Sequence, residues 1–367
     1  MRVPFNYLPY QFNKTVSYFN KWKELIKSSH FTLGPFVNEF EKNFAKYIKV
    51  KHCISTNNGT DALILALKAV GIRNGDEVIT VCNSFYATTG AIVACGAKPI
   101  FVDADERYQI NVEQIKKKIT KKTKAILPVH WGGASPDMVE IVKIAKKFKL
   151  KVVEDACMGI GAKLRSKSPG TFGNISAMSM HPLKSLNVMG DGGMVVTNES
   201  KLAKWALRFR NHGMRDRDRI DFWGVNMRLQ PLQAVVANIE LKKVSNIVKI
   251  RNKNAKFLDK ELSQIDQIAL PSRKKNFTET FALYMAKFKN RNRLKSFLIK
   301  NGVEVKIHYP IPLHLQKASN YLKYKRGDFP IAEKQAAELL TLPVHQYLKK
   351  SQLQYIVKII RKFYNKN

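Results

Sequence analysis

Three stretches of the chain carry residue types that could act together on a carbonyl compound. In Ser179-Met180-His181-Pro182-Leu183-Lys184-Ser185-Leu186-Asn187-Val188-Met189-Gly190-Asp191-Gly192-Gly193 one lysine stands in a run almost free of basic charge, after an apolar segment and before a glycine turn. A lysine partly withdrawn from water can lose its proton near neutral pH and condense with an aldehyde as a Schiff base. Once released, the same amine can carry a proton between two carbons. In a chain with 64 Lys and Arg the ordinary alternative is a solvated lysine, and the apolar surroundings argue against it.

The second stretch is Val152-Val153-Glu154-Asp155-Ala156, an apolar segment that ends on two carboxylates. A carboxylate facing a pyridine nitrogen keeps that nitrogen protonated and makes the ring an electron sink. Alternation along a strand sends Glu154 and Asp155 to opposite faces, and either could instead cap a helix. In the third, Asn57-Asn58-Gly59-Thr60-Asp61 precedes a helical pattern that is apolar almost all round, so the helix N-terminus must lie buried at a crevice. Free N–H groups and the Thr60 hydroxyl there suit a phosphate, although a plain capped turn has the same composition.

The elements that must position these groups alternate strand and helix. The composition pattern predicts strands at His52 to Thr56, Glu77 to Cys82, Pro99 to Val102, Ala125 to Val129, Val152 to Asp155, Ser176 to Met180 and Met194 to Thr197. Helical patterns such as Thr60 to Val70 and Asp137 to Lys147 lie between them, the signature of an α/β fold with a mainly parallel sheet. A long helical pattern from Leu229 to Leu262 leads into a second unit of strand, helix and strand: Phe281 to Phe288, Asn292 to Asn301 and Val303 to His308. The expected division is a large domain over residues 1–248 and a smaller α+β domain over 249–367.

Composition narrows the function classes. At 367 residues, 45% hydrophobic and 25% charged, the chain can bury two cores and leaves little room for long disordered tracts. No segment reads as a membrane span or signal peptide, and a cytoplasmic protein is expected. The four cysteines (Cys53, Cys82, Cys95, Cys157) lack disulfide-framework or zinc spacing and read as free, mostly buried thiols. A formal charge of +36 could draw nucleic acid or a membrane surface, but the lysines are dispersed in short groups on polar faces. Solvated surface is the expectation, with neither partner, and the charge could help attract an anionic substrate.

In their joint order these motifs resemble the DegT/DnrJ/StrS-type sugar aminotransferases, a fold-type I pyridoxal-phosphate family. The likeness runs from Thr32-Leu33-Gly34-Pro35 through Asn58-Gly59-Thr60-Asp61, Glu154-Asp155-Ala156 and Gly190-Asp191-Gly192-Gly193 to Asn226-Met227-Arg228 and Ile307-His308-Tyr309-Pro310. The resemblance implies a mainly parallel seven-stranded sheet sandwiched by helices. It also implies that Gly59, Thr60 and Ser179 hold the cofactor phosphate, that Phe85 stacks on the pyridine, and that Asp155 rather than Glu154 pairs with the ring nitrogen. Lys184 would hold pyridoxal 5'-phosphate, with pyridoxamine 5'-phosphate as the intermediate form. Asn226 would reach the phosphate of the neighbouring subunit, which implies a homodimer with shared sites. His181, His308, Tyr309 and His314 become substrate-side candidates, with buried structural roles open for the last three.

The resemblance further implies ping-pong transfer of an amino group from L-glutamate to a nucleotide-linked 3-keto or 4-keto hexose, in aminosugar or polysaccharide biosynthesis. A sugar phosphate, keto-inositol or small phosphorylated ketone is the alternative acceptor. A sugar dehydratase of the same fold is a further alternative that Lys184 opposes, since histidine replaces the lysine there, and a basic nucleic-acid-binding protein on this fold is another. One departure stands out: three residues after Asp155, where the family has Gln or His, this chain has Met158, which cannot donate a hydrogen bond.

Overall fold

Runs such as residues 78–79 and 152–153 are apolar on both faces, as strands covered on each side by helices must be. The structure, a computed structural model describing residues 1–365, assembles them into one seven-stranded sheet. Its strands are β1 (His52–Thr56), β2 (Glu77–Val81), β3 (Lys98–Val102), β4 (Thr123–Leu127), β5 (Lys151–Asp155), β6 (Ile175–Ser179) and β7 (Gly193–Thr197). The order across the sheet is β1-β7-β6-β5-β4-β2-β3, with β7 alone antiparallel to its neighbours. Each strand predicted for this sheet is present; the largest shift moves Ala125 to Val129 back to Thr123–Leu127.

The register sets up the site. Gly193, the first residue of β7, pairs with both Thr56 and Ser179, the last residues of β1 and β6. Asp155 at the end of β5 pairs with Ala177, two residues before Ser179. The carboxyl ends of β1, β5 and β6 therefore open on one crevice, where α/β folds build ligand sites. Helix α1 (Gly59–Ala69) leaves β1 at that edge with Leu63, Leu65 and Leu67 buried, each contributing roughly 1.5–3 kcal/mol.

The long pattern predicted from Leu229 to Leu262 divides into a helix over Pro231–Leu241 and helix α2 (Val244–Leu262), broken at Lys242-Lys243, where two exposed lysines carry no apolar stripe across the junction. The early turns of α2 (Val244, Val248) pack with the large sheet's helices, and later ones (Ala255, Leu258, Leu262) join a second core. That core covers a small antiparallel sheet of β8 (Ile268–Ala269), β9 (Tyr284–Phe288) and β10 (Leu339–Leu342), in the order β10-β9-β8. The expected strand Val303 to His308 does not form a ladder. Val303 bridges Val3 whereas Lys306 bridges Thr341, and a segment that changes partner within three residues makes only isolated bridges. Among the described residues no helix is long and apolar enough to cross a membrane.

Candidate active site

A cavity of about 250 Å³ opens at the crevice, lined by Gly59, Thr60, Phe85, Asp155, Ser179, His181, Lys184, His308 and Tyr309 among others. Lys184 is delivered by a tight turn after β6, in which its N–H donates to the His181 carbonyl at 3.1 Å. Pro182 presets the first corner and Leu183 takes the second with φ of +74°, the pattern of a type II turn. A left-handed leucine costs about 1 kcal/mol or more, so the surroundings must hold the loop. They do so through Ser185 Oγ donating to the Ile160 carbonyl (2.6 Å) and Asn187 Nδ2 donating to Gln11 Oε1 (2.8 Å). Burial lowers the pKa of Lys184 below the usual lysine range, opposed by Cys157 and Asp155. The amine is thus biased toward its nucleophilic form.

The two adjacent carboxylates have separate tasks. Glu154 is fully buried and accepts from the N–H groups of Gly170 (2.8 Å), Phe172 (2.8 Å) and Gly173 (2.7 Å), with His130 Nε2 at 2.9 Å. It ties the 170–173 loop to β5. Asp155 points to the cavity side, where its Oδ2 accepts from Thr88 Oγ1 at 2.7 Å and its Oδ1 from the Cys157 N–H at 3.2 Å. Thr88 in turn lies 2.6 Å from Ser84 Oγ, so a short hydroxyl chain fixes the carboxylate's orientation.

Opposite, Asn58 caps α1, its Oδ1 accepting from the Asp61 N–H at 2.8 Å. Gly59 and Thr60, in the first turn, have no intrahelical acceptor for their N–H groups. A Cβ on Gly59 would come within 2.7 Å of Ser179 Cβ and 3.0 Å of its hydroxyl, so only glycine lets the helix end and Ser179 close around one small anion. This cradle, the aimed carboxylate and the half-buried lysine fit a phosphorylated pyridine aldehyde. Half-exposed Phe85 borders the cavity, and its ring, with those of Tyr86, Tyr309 and Trp131, forms one aromatic wall.

The profile of the DegT/DnrJ/EryC1/StrS aminotransferase family matches residues 14–361. The chain belongs to that family. It is 39% identical to a pleiotropic regulatory protein of Geobacillus stearothermophilus over 93% of this chain and 92% of the relative. It is 35% identical to the dTDP-3-amino-3,6-dideoxy-alpha-D-galactopyranose transaminase of Aneurinibacillus thermoaerophilus, covering 92% and 93%. Among solved structures, S. venezuelae DesV, determined in complex with a ketimine intermediate, superposes with a TM-score of 0.96 at 32% identity, covering 99% of this chain and 98% of that one. The chain is accordingly an aminotransferase.

Two of the residues named from the sequence lie away from the cavity. His314 is buried beneath the helix Pro330–Glu338, with Nε2 at 3.0 Å from Glu333 Oε1 and its ring edge-on to Phe329, a packing role. Asn226 is exposed beside Asn211, with its Oδ1 accepting from Arg228 Nε at 3.0 Å. Its neighbours in the hairpin, Ile220 (47% exposed) and Trp223 (87%), are apolar and face outward. His181 sits at the rim, its Nδ1 turned to the Pro182 carbonyl at 2.6 Å. His308 holds Thr341 Oγ1 through Nδ1 at 2.9 Å, and burial, with the positive charges of Lys184 and Lys306, lowers its pKa to about 4. Tyr309 is raised by burial to about 12, so it stays a phenol. Met158 also lines the cavity, its backbone carbonyl accepting from Thr280 Oγ1 at 2.8 Å.

Sequence reasoning assigned no role to Thr88, Ser84 or Phe5. The signal for the first two was available, because Ser84 and Thr88 stand four residues apart and Phe85 three before Thr88, one helical face at the start of the helix Tyr86–Ala94. Phe5 lines the cavity and stacks on His308 (6.1 Å) from the far end of the chain, and nothing local marks it.

Proposed function

We propose that this enzyme moves an amino group from L-glutamate to a nucleotide-linked keto-hexose, with pyridoxal 5'-phosphate as its cofactor. Pyridoxal phosphate is the cofactor of the family. The observation that carries the reading is the convergence of Lys184, Asp155 and the Gly59–Thr60 cradle on one cavity. When bound, the cofactor supplies an electron sink for the carbanion formed at the amino acid's α-carbon. Gly59, Thr60 and Ser179 would hold its phosphate, Asp155 its ring nitrogen, Phe85 its ring face, and a partner subunit would contribute Asn226 from the apolar hairpin.

The remaining steps belong to the chain's own residues. Burial biases Lys184 toward the free amine, the form able to take a proton from one carbon and return it to another. Thr88 and the Cys157 N–H keep Asp155 aimed while charge shifts nearby. Tyr309, Trp131, Phe85 and Tyr86 form a wall that excludes water and can carry a sugar ring. Neutral His308, fixed at Nδ1, is suited to a sugar hydroxyl. The 3-amino sugar in the name of the Aneurinibacillus relative supports C3 as the carbon aminated. Incubation with 15N-glutamate and a panel of 3-keto and 4-keto sugar nucleotides and sugar phosphates, followed by mass spectrometry, tests the reading. Label in a 3-amino sugar nucleotide is expected; label in no sugar, with glutamate unconsumed, would refute it.

A further inference from the structure

We propose that Tyr7 and Arg251 are positioning residues that hold Lys184 in working register, a role that rests on the reading of Lys184 as the residue that takes the cofactor. The backbone carbonyl of Lys184 accepts from the Tyr7 hydroxyl at 3.1 Å. That hydroxyl accepts in turn from Arg251 Nη2 at 2.8 Å. Both side chains are buried, Arg251 with only 1% of its surface exposed. The chain of contacts joins three distant parts of the sequence: the N-terminal segment, the lysine turn and helix α2.

Two features distinguish this anchor from ordinary packing. Burying a guanidinium is costly unless its donors are met, and Arg251 makes its bonds to neutral oxygens, the Tyr7 hydroxyl and Gln346 Oε1 (3.0 Å), rather than to a carboxylate. Its charge therefore remains to polarise the phenol, which strengthens the bond that Tyr7 donates to the Lys184 carbonyl. The recipient is also the residue that needs holding, since it follows the left-handed Leu183 in a strained turn. Tyr7 is itself clamped, against the ring of His345 (5.3 Å) on the small-sheet side, while Pro4 is held through its carbonyl by His345 Nε2 at 3.0 Å. The N-terminal segment thus straps the small-sheet unit to the lysine turn.

The test uses full-length apoenzyme. Capture of pyridoxal phosphate needs Lys184, whose amine adds to the aldehyde carbon as the carbonyl oxygen leaves as water. Binding of pyridoxamine phosphate forms no such bond. Tyr7→Phe keeps the ring and removes only the hydroxyl, and it should slow capture about tenfold, the factor expected for one lost hydrogen bond. Pyridoxamine phosphate affinity should stay within about twofold; because Arg251 Nη2 loses its acceptor the thermal midpoint falls, and capture is measured at a temperature where each variant is fully folded. Arg251→Met should slow capture similarly, and the double variant should be no slower than the slower single variant, because the two act in series. Unchanged capture in Tyr7→Phe, a parallel loss of pyridoxamine phosphate affinity, or additive losses in the double variant would each overturn the anchor. Covalent capture by Lys184→Ala at the wild-type rate would overturn the lysine assignment and this proposal with it. A dead Lys184→Ala beside a normal Tyr7→Phe overturns the anchor alone.

Discussion

Replacing Glu154 and Asp155 one at a time should separate folding from catalysis across a single peptide bond. Glu154 receives three backbone N–H groups and faces His130, with none of its surface open to bulk solvent. In Glu154→Gln one amide oxygen can keep Phe172 and Gly173, but the NH2 then faces the Gly170 N–H, donor against donor. A hydrogen bond to a charged group is lost and a buried N–H is left unmet, together roughly 2–5 kcal/mol. For a domain of this size that lowers the thermal midpoint by roughly 5–15 °C, with kcat of the folded fraction within about threefold of wild type. Asp155→Asn should do the opposite. Its oxygen can still accept from Thr88, so stability should fall by about 1 kcal/mol, while loss of the negative charge should cost about 100-fold in kcat/KM, equivalent to about 2.7 kcal/mol. Differential scanning calorimetry and steady-state kinetics on cofactor-saturated protein measure both. Equal loss of activity in the two variants, or a thermal midpoint for Glu154→Gln within about 2 °C of wild type, would refute the division of labour.

Three further outcomes are expected. Gly59→Ala should weaken pyridoxamine phosphate binding by about tenfold or more, because the added methyl group meets Ser179 Cβ at 2.7 Å, and equilibrium dialysis measures it. His308 and His345, ordinarily near 6.5, are both lowered by burial to about 4. Between pH 6.5 and 4 the unfolded chain binds protons that the folded protein refuses, so stability is full above 6.5 and falls as the pH drops; in His345→Gln the decline of the thermal midpoint from pH 7 to 5 should be shallower. Trp223→Glu, at an 87% exposed ring, should shift the sedimentation of a dimer toward monomer, whereas unchanged sedimentation as a dimer would remove that hairpin from the interface.

Much of the site was legible because its parts follow strand ends. The strands β1, β5 and β6 each bring one motif residue to within three positions of their last residue, so the strand pattern and motif order together placed Gly59, Asp155 and Ser179 near one another. Alternation sends Glu154 and Asp155 to opposite faces without saying which face meets the cavity, and the choice of Asp155 rested on the resemblance; the loop at 170–173 folds back over the Glu154 face. The helix Tyr86–Ala94 hides Thr88 among small residues, and its value lies in one 2.7 Å contact. His314 was misleading: its segment borders the aromatic wall, yet the imidazole turns inward to Glu333. The strand expected at Val303 to His308 failed for a related reason, since its partners Val3 and Thr341 come from opposite ends of the chain and local pattern carries no information about them.

Of the chain's many lysines, Lys184 alone is proposed to bond the cofactor covalently. Reducing the protein with borohydride in the presence of pyridoxal phosphate, then mapping peptides by mass spectrometry, tests it directly. A single stoichiometric pyridoxyl adduct on Lys184, lost in Lys184→Ala, is expected. A stoichiometric adduct on any other lysine, or none on Lys184, would contradict it.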